Sequence, residues 1–497
     1  MRPDLKNAWS HGSLIAVLFI FVIWVRPVQA QSQDAQTQDI QQLKDKLQQL
    51  ELMMGEVKGQ ITALEGQPGT QNSEAGVGKS KSGPDDSLLS SVVNSFDRNP
   101  GTHATPTVAA NGAQADQKKS GSENTLDIYG FIMMDSGYDF GQEDPSWTDV
   151  LRPTKLPSVA NEFGPNGQVF FSVKQTRFGT KTSTPTSLGD LKTIFEFELF
   201  GTGVDAGQTT FRLRHAWGEL GHFGAGQTWS PFMDPNVFPN SIEYWGPNGM
   251  VFFRNVQFRW TPIKTDHNTF MIAAERPGAS ADQGIYSGRI ELSNITPQFI
   301  LPDLSMQGHF DRKWGYFQIA SMFRRIAWVD NNATPKLNLS GSAFGWGINA
   351  SSNLKLGEKT TGRLQLVYGH GIQNYMNDAP IDIGVQNNFS NPVTPIKGVP
   401  LPMIGAVAFV DHNWSPKFSS TFGGSMLNIW NSDAEAPSDF HQGYYALTNL
   451  LFYPVKNVMA GGEFQYGRRV NFANGYNFND YRVQFSFKYN YGKTFAF

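Results

Sequence analysis

The stretch "YRVQFSFKYNYGKTFAF" (Tyr481–Phe497) alternates large apolar with polar residues for about a dozen positions. Tyr481, Val483, Phe485, Phe487, Tyr489 and Tyr491 share one parity, and Arg482, Gln484, Ser486, Lys488 and Asn490 share the other. A period of two puts the two sets on opposite faces of a strand, so one face is greasy and the other wet. The greasy face packs either on a second sheet or on lipid, and the strand alone does not choose between them.

The first thirty residues favour lipid. Arg2 and Lys6 precede the apolar run "LIAVLFIFVIWV" (Leu14–Val25), and "VQA" ends the segment at Ala30. That is the layout of a secretory signal over residues 1–30, with the mature chain expected from Gln31. The run is shorter than the roughly 18 apolar residues of a spanning helix. No later stretch reaches that length and the mean hydropathy is negative, which excludes a helical membrane protein. It leaves a β-barrel open, because lipid-facing and lumen-facing residues cancel in any averaging window. The 50 glycines, 38 phenylalanines, 12 tryptophans and 15 tyrosines supply turns, a lipid-facing surface and interfacial girdles. There is no cysteine for a disulfide or thiolate site, and a net charge of -3 does not point to nucleic acid.

From Ile40 the apolar residues run Ile40, Leu43, Leu47, Leu50, Met54, Val57, Ile61 and Leu64, spaced alternately by three and four. This a/d seam predicts a periplasmic coiled coil within residues 31–65, with a lone amphipathic helix as the alternative. Residues 66–124, rich in Gly, Ser, Asn, Thr, Gln and Pro, read as a flexible linker.

From residue 125 to 497 short alternating segments are divided by two kinds of connection. Seven are compact: 184–190, 220–224, 262–267, 311–314, 355–360, 415–417 and 453–457. Eight longer ones interleave with them, near 140–167, 201–208, 230–249, 276–303, 330–341, 370–402, 431–440 and 468–477. That pattern predicts an all-β fold, a barrel of about sixteen antiparallel strands in a bacterial outer membrane, with both ends of the barrel on the short-turn side. The apolar parity of Tyr481–Tyr491 then faces lipid.

A barrel of that size encloses an aqueous channel. In "FRLRHAW" parity turns Phe211, Leu213 and Trp217 outward and Arg212 and Arg214 inward; in "VQFRW" it turns Arg259 inward. The same rule places Arg177, Arg324, Arg363, Arg469 and Arg482 on the wet face, with Glu196, Glu198 and Glu463 as its few acids. Arginine is always charged and offers a planar fork of donors, so such a wall favours anions. Cross-bracing of the wall by Arg–Glu pairs is the alternative. His215 falls on the outward parity, where a contact between protomers, the favoured reading, or a local bulge would shelter it.

The third long connection, "SPFMDPNVFPNSIEYWGPNG" (Ser230–Gly249), carries Phe232, Met233, Asp234, Val237, Phe238, Ile242, Tyr244 and Trp245. It is too apolar to sit in solvent, so it is expected to fold against the lumen wall and constrict the channel, with an external plug or a protein contact as the alternative.

"QTRFGTKTSTPT" and "FRLRHAWGELGHFGAGQTWSPFMDPNVFPNSIEYWGPNGMVFFRNVQFRW", with the heptad prefix, resemble the DcaP-like outer-membrane porin family, most densely from Gln175 to Trp260. The resemblance implies a homotrimer of sixteen-stranded barrels, an N-terminal periplasmic coiled coil, and uptake of small anionic solutes including dicarboxylic acids. Arg212, Arg214 and Arg259, then Arg177, are the positions it carries to the channel lining. A terminal aromatic such as Phe497 is a further feature of outer-membrane barrels. No G-x-S-x-G, H-E-x-x-H or P-loop pattern occurs, and nine scattered histidines suggest no metal centre, so neither a cofactor nor a metal is expected. The competing readings are a barrel hydrolase and a structural envelope tether.

Overall fold

The computed structural model describes residues 123–497; the signal segment, the coiled coil and all but the last two residues of the linker lie outside them. The alternating segments form one closed antiparallel sheet. Its first eight strands are β1 (Thr125–Asp139), β2 (Arg177–Thr186), β3 (Gly189–Phe200), β4 (Thr209–Leu220), β5 (Phe223–Trp229), β6 (Arg254–Lys264), β7 (Asn268–Glu275) and β8 (Asp303–Arg312). The other eight are β9 (Gly315–Asp330), β10 (Gly341–Gly357), β11 (Thr360–His370), β12 (Pro402–Ser415), β13 (Phe418–Ile429), β14 (Phe440–Phe452), β15 (Val458–Asn471) and β16 (Asn477–Ala496). Two short segments, Gln168–Ser172 and Ile295–Gln298, extend the wall above β2 and β8. β1 pairs with β16 from Thr125↔Ala496 to Asp139↔Arg482, and that ladder closes the barrel. Closure leaves no open strand edge in the membrane.

All seven short turns and eight long loops fall where the alternation breaks. The tight turns need backbone that few residues adopt: Gly221 (φ 59) and Asn457 (φ 69) take it at the turns after β4 and β14. Along β16, Phe485 is 61% and Phe487 49% exposed, whereas Arg482 is 0% and Gln484 1%. The greasy parity therefore faces out of the barrel and the polar parity in. Trp314, Trp414, Phe418 and Phe452 stand outward near the short turns, and Tyr138, Tyr368, Trp430 and Tyr481 near the long loops, as two aromatic girdles. Among the described residues no helix is long and apolar enough to cross a membrane.

Near the inner wall, β4 departs from simple parity. Across β3–β4, Glu196 pairs with His215 and Phe197 with Leu213, which leaves Arg214 as an extra residue in a β-bulge. Arg214 and His215 consequently both face inward and are buried. His215 is sheltered by the bulge, with its Nδ1 3.0 Å from the Thr228 hydroxyl, and not by a protomer contact on the outward face. The same slip corrects the expectation for Trp217, which turns inward. Its ring lies over Gly224 of β5, where an added Cβ would meet it at 2.1 Å.

Candidate channel constriction

The third loop, L3 (residues 230–253), crosses the barrel interior and is fastened at each end and along its length. Near its start, Asp234 accepts hydrogen bonds from the Tyr316 hydroxyl (2.7 Å) and Ser351 (2.6 Å) on β9 and β10. Further on, the Asn240 carbonyl accepts from Thr421 and Asn449, and Glu463 accepts from the Ile242 amide at 3.0 Å. The Ile242 carbonyl then accepts from Gln175 (2.8 Å) and Gln484 (3.1 Å). Phe232, Met233, Val237, Phe238 and Met250–Phe253 share a buried apolar cluster with Met322, Val367, Met403, Phe409 and Leu427 of the wall and with Tyr375 and Met376 of the sixth loop, L6 (residues 371–401). Each such side chain contributes about 1.5–3 kcal/mol on burial, so L3 is held by apolar packing as well as by its polar ties. Of the sequence-predicted loop residues, Phe232, Met233, Asp234, Tyr244 and Trp245 are all buried inside the barrel.

At the far end of L3, Tyr244 meets the arginine-rich wall. Glu198 of β3 accepts from the Tyr244 hydroxyl, from Arg214 Nη1 at 2.8 Å and from Arg177 Nη2 at 3.4 Å. Arg212 and Arg254 approach the same carboxylate to 3.8 Å. Glu196 pairs with Arg214 Nε, lies 3.7 Å from Arg177 Nε, and accepts from the Tyr129 hydroxyl at 2.7 Å. Four guanidinium groups thus surround two carboxylates, a formal surplus of two positive charges in a site shielded from water. Arg259 stands apart from the cluster, half-buried, with its guanidinium 4.8 Å above the Trp217 ring and Nη2 donating to Gln257 at 2.9 Å.

The remaining predicted arginines each hold a loop to the wall. Arg324 pairs with Asp303 (2.9 Å) and with Asp382 of L6 (2.7 Å). Arg363 pairs with Asp411 and donates to the Asn236 carbonyl of L3. Arg469 donates to carbonyls of Thr154 (3.1 Å) in the first loop, L1 (residues 140–176), and of Ser438 (2.9 Å) in the seventh, L7 (residues 430–439). Arg482 pairs with Asp139 (2.7 Å) and with Glu143 of L1 (2.9 Å). These side chains face inward, but loops cover them.

Sequence reasoning missed three participants. Arg254 shares parity with outward Val256, yet the chain enters β6 from the lumen at that point and buries it. Arg152 of L1 lies between the Trp147 and Trp245 rings, 4.1 and 4.0 Å from their centroids, and pairs with Asp378 of L6 at 2.9 Å. Asp378 also accepts from the Thr154 amide at 2.9 Å, so one carboxylate ties L1 to L6 across the edge of L3. On the extracellular side of L3 an apolar-walled recess of about 360 Å³ opens beside Trp328 and Ile396. On the periplasmic side a chamber of about 550 Å³ is lined by His309, Lys355 and Arg363.

At the outer mouth, Asp282 of the fourth loop, L4 (residues 276–302), meets Glu435 and Asp439 of L7, the three carboxyls lying within 4.8 Å of one another. Burial, then the Asp282 carboxylate, pushes Asp439 up to about 7, and burial raises Glu435. The charged group facing them from the wall is Arg469, bonded at Ser438. A carboxyl raised in the folded state contributes stability that is present at low pH and lost as pH rises through about 7. The Ile285 amide, 2.9 Å from the Ala434 carbonyl, reports the L4–L7 contact. Corrected for intrinsic rate, its hydrogen exchange should be slower at pH 6 than at pH 8.5, and Asp439→Asn should flatten the difference. Equal protection at both pH values would disprove this pH dependence of the L4–L7 contact.

A search of curated proteins returns no match to this chain. Among solved structures it is similar to the outer membrane channel DcaP of Acinetobacter baumannii, at 19% identity over 75% of this chain and 99% of that one, with a TM-score of 0.61. The anion-selective porin from Comamonas acidovorans aligns at 8% identity over 74% of this chain and 100% of that one, with a TM-score of 0.47. Salmonella typhi OmpF aligns at 11% identity over 74% and 97%, with a TM-score of 0.43. The family model for the DcaP outer membrane protein matches residues 93–491, a span that takes in nearly the whole closed barrel and the loop crossing it. On that match, and on a barrel with a lipid-facing exterior and a polar interior, this outer-membrane chain belongs to the DcaP outer membrane protein family.

Proposed function

We propose that the protein is a diffusion porin for small hydrophilic solutes that favours anions, dicarboxylates among them, with L3 as its constriction. It works in this reading as a homotrimer, with the segment over residues 31–65 as a periplasmic coiled coil and residues 66–124 as its linker. The observation that carries the reading is the surplus of arginine over glutamate where L3 meets β2–β6: Arg177, Arg212, Arg214 and Arg254 against Glu196 and Glu198. Buried charge of one sign beside a narrow passage lowers the energy of the opposite sign inside it. Arg259 adds a cation that is only half covered. A channel, not an active site, accounts for the barrel in this family.

Planar-bilayer reversal potentials in a dilute KCl gradient test the proposal. The wild-type sign should correspond to chloride preference, strongest near 0.01 M salt, where the Debye length is about 30 Å. Arg259→Gln removes a charge outside the buried pairs. A unit charge about 7 Å from an ion in water is worth about 0.6 kcal/mol, and its loss raises the barrier to anions and lowers that to cations by this amount each, so the anion-to-cation permeability ratio should fall about sevenfold. Cation preference of the wild type in dilute salt would refute the anion reading and leave the buried arginines as braces alone.

A further inference from the structure

The outward face of the barrel is largely apolar along its strands, and β9 departs from that near the long loops. Phe317, Ile319, Phe323 and Arg325 share the outward parity of that strand and are exposed. Arg325 makes no hydrogen bond or ion pair among the described residues. Its height follows from the ladders. Leu304 of β8 pairs with Phe323, so Arg325 stands level with Pro302, where β8 leaves the membrane wall for L4. On the other side of β8, Asp303 pairs with Glu275 of β7, which sets Arg276 at the same level. Arg276 is exposed and continues the outward parity of Ile272 and Ala274. Two strand spacings, about 10 Å, separate the two positions. Between them L4 presents Phe299, Ile300 and Leu301, all exposed, and Phe344 of β10 pairs with Arg325 on its far side.

We propose that this face binds a phosphate-bearing lipid of the outer leaflet, with Arg276 and Arg325 on its phosphates and Phe299, Ile300, Leu301 and Phe344 against the upper part of its acyl chains. The Arg325 guanidinium, facing out of the barrel at the edge of the hydrocarbon, has no protein anion among the described residues to satisfy it. Lipid phosphate lies at that depth and matches the planar donor fork of arginine. The apolar residues at the same rim suit the region just beneath a headgroup, so charge and hydrophobicity are stacked in the order a lipid presents them. A free anion in solution would have no use for the apolar half of the patch.

The test uses the full-length protein in detergent micelles, with diphosphoryl lipid A and its fully dephosphorylated form as probes and native mass spectrometry as readout. The wild type should retain the diphosphoryl form at least about tenfold better, the weight expected of two basic residues near a phosphate plane. R276Q/R325Q should lose that difference while keeping its heat-modifiable, folded band on gels, and R276K/R325K should restore part of it. Inorganic phosphate at 10 mM should not displace the lipid. Equal retention of the two lipids by the wild type, or an undiminished preference in the folded Gln variant, would overturn the proposal. So would displacement by inorganic phosphate, which would mark a free-anion site, or protection of Arg325 by a second copy of the chain in lipid-free protein.

Discussion

Glu198→Gln is expected to cost the protein about 3–5 kcal/mol, the usual effect of removing one partner from a buried ion pair. Glu198 is the hub of the inner wall: Arg214, Arg177 and Tyr244 bond it, and Arg212 and Arg254 stand 3.8 Å away. A glutamine keeps the length and one acceptor oxygen but removes the charge that four guanidinium groups share. Glu196 is then left to balance all of them from one side. Two readouts should move together. The temperature at which the folded band converts to the unfolded one on gels should drop, and any variant channel that does insert should favour anions more strongly than the wild type, because the positive surplus rises by one. The second shift is opposite in sign to that of Arg259→Gln. An unchanged conversion temperature would mean that the hub carries little of the wall's stability.

Asp378→Asn is expected to release the lumen loops without opening the barrel. The carboxylate is fully buried and holds Arg152 at 2.9 Å and the Thr154 amide at 2.9 Å. Without it the guanidinium remains between Trp147 and Trp245, where ring contacts supply about 2 kcal/mol when desolvated. That is less than a buried charge needs. Arg152 should therefore leave its slot, taking L1 off L3. Hydrogen exchange in residues 145–156 should accelerate about a hundredfold, the factor for about 2.7 kcal/mol of lost protection. Single-channel records should show larger and noisier conductance, since Trp245 also gives up its neighbour. Preserved exchange rates in this segment, with the variant folded, would show that the aromatic sandwich alone suffices to hold L1.

The sequence exposed the barrel because a strand with two solvents repeats every two residues, and Tyr481–Tyr491 carry that period without interruption. All fifteen connections were legible for the same reason, since each is a break in alternation. Inward arginines such as Arg177, Arg324 and Arg482 followed from parity alone. Parity failed where the backbone inserts a residue: nothing in "FRLRHAW" distinguishes a bulge at Arg214 from an unbroken strand, so Trp217 was assigned to the wrong face and His215 to a protomer contact. It failed again at Arg254, where a strand begins inside the lumen and the outward parity of Val256 no longer applies. The loop ties were illegible for a different reason. Arg152 and Asp378 are 226 residues apart, and neither lies in a segment with a period from which a facing direction could be read. Charge pairs of that kind are chosen by the folded geometry, not announced by local pattern.

The ties of L3 also fix a sequence of events. Its anchors lie on Gln175 just before β2 and on β3, on β9 and β10, and on β13 through β16, parts of the wall that become neighbours across the lumen only once the sheet has curled round and β16 has met β1. Before that moment L3 has an apolar flank and no complete surface to receive it. The crossing loop, though synthesised in the first half of the chain, must settle last, so each barrel passes through a wide, unobstructed stage during insertion. The barrier to solutes is then the final product of assembly, and any defect late in closure would show itself first as a leak.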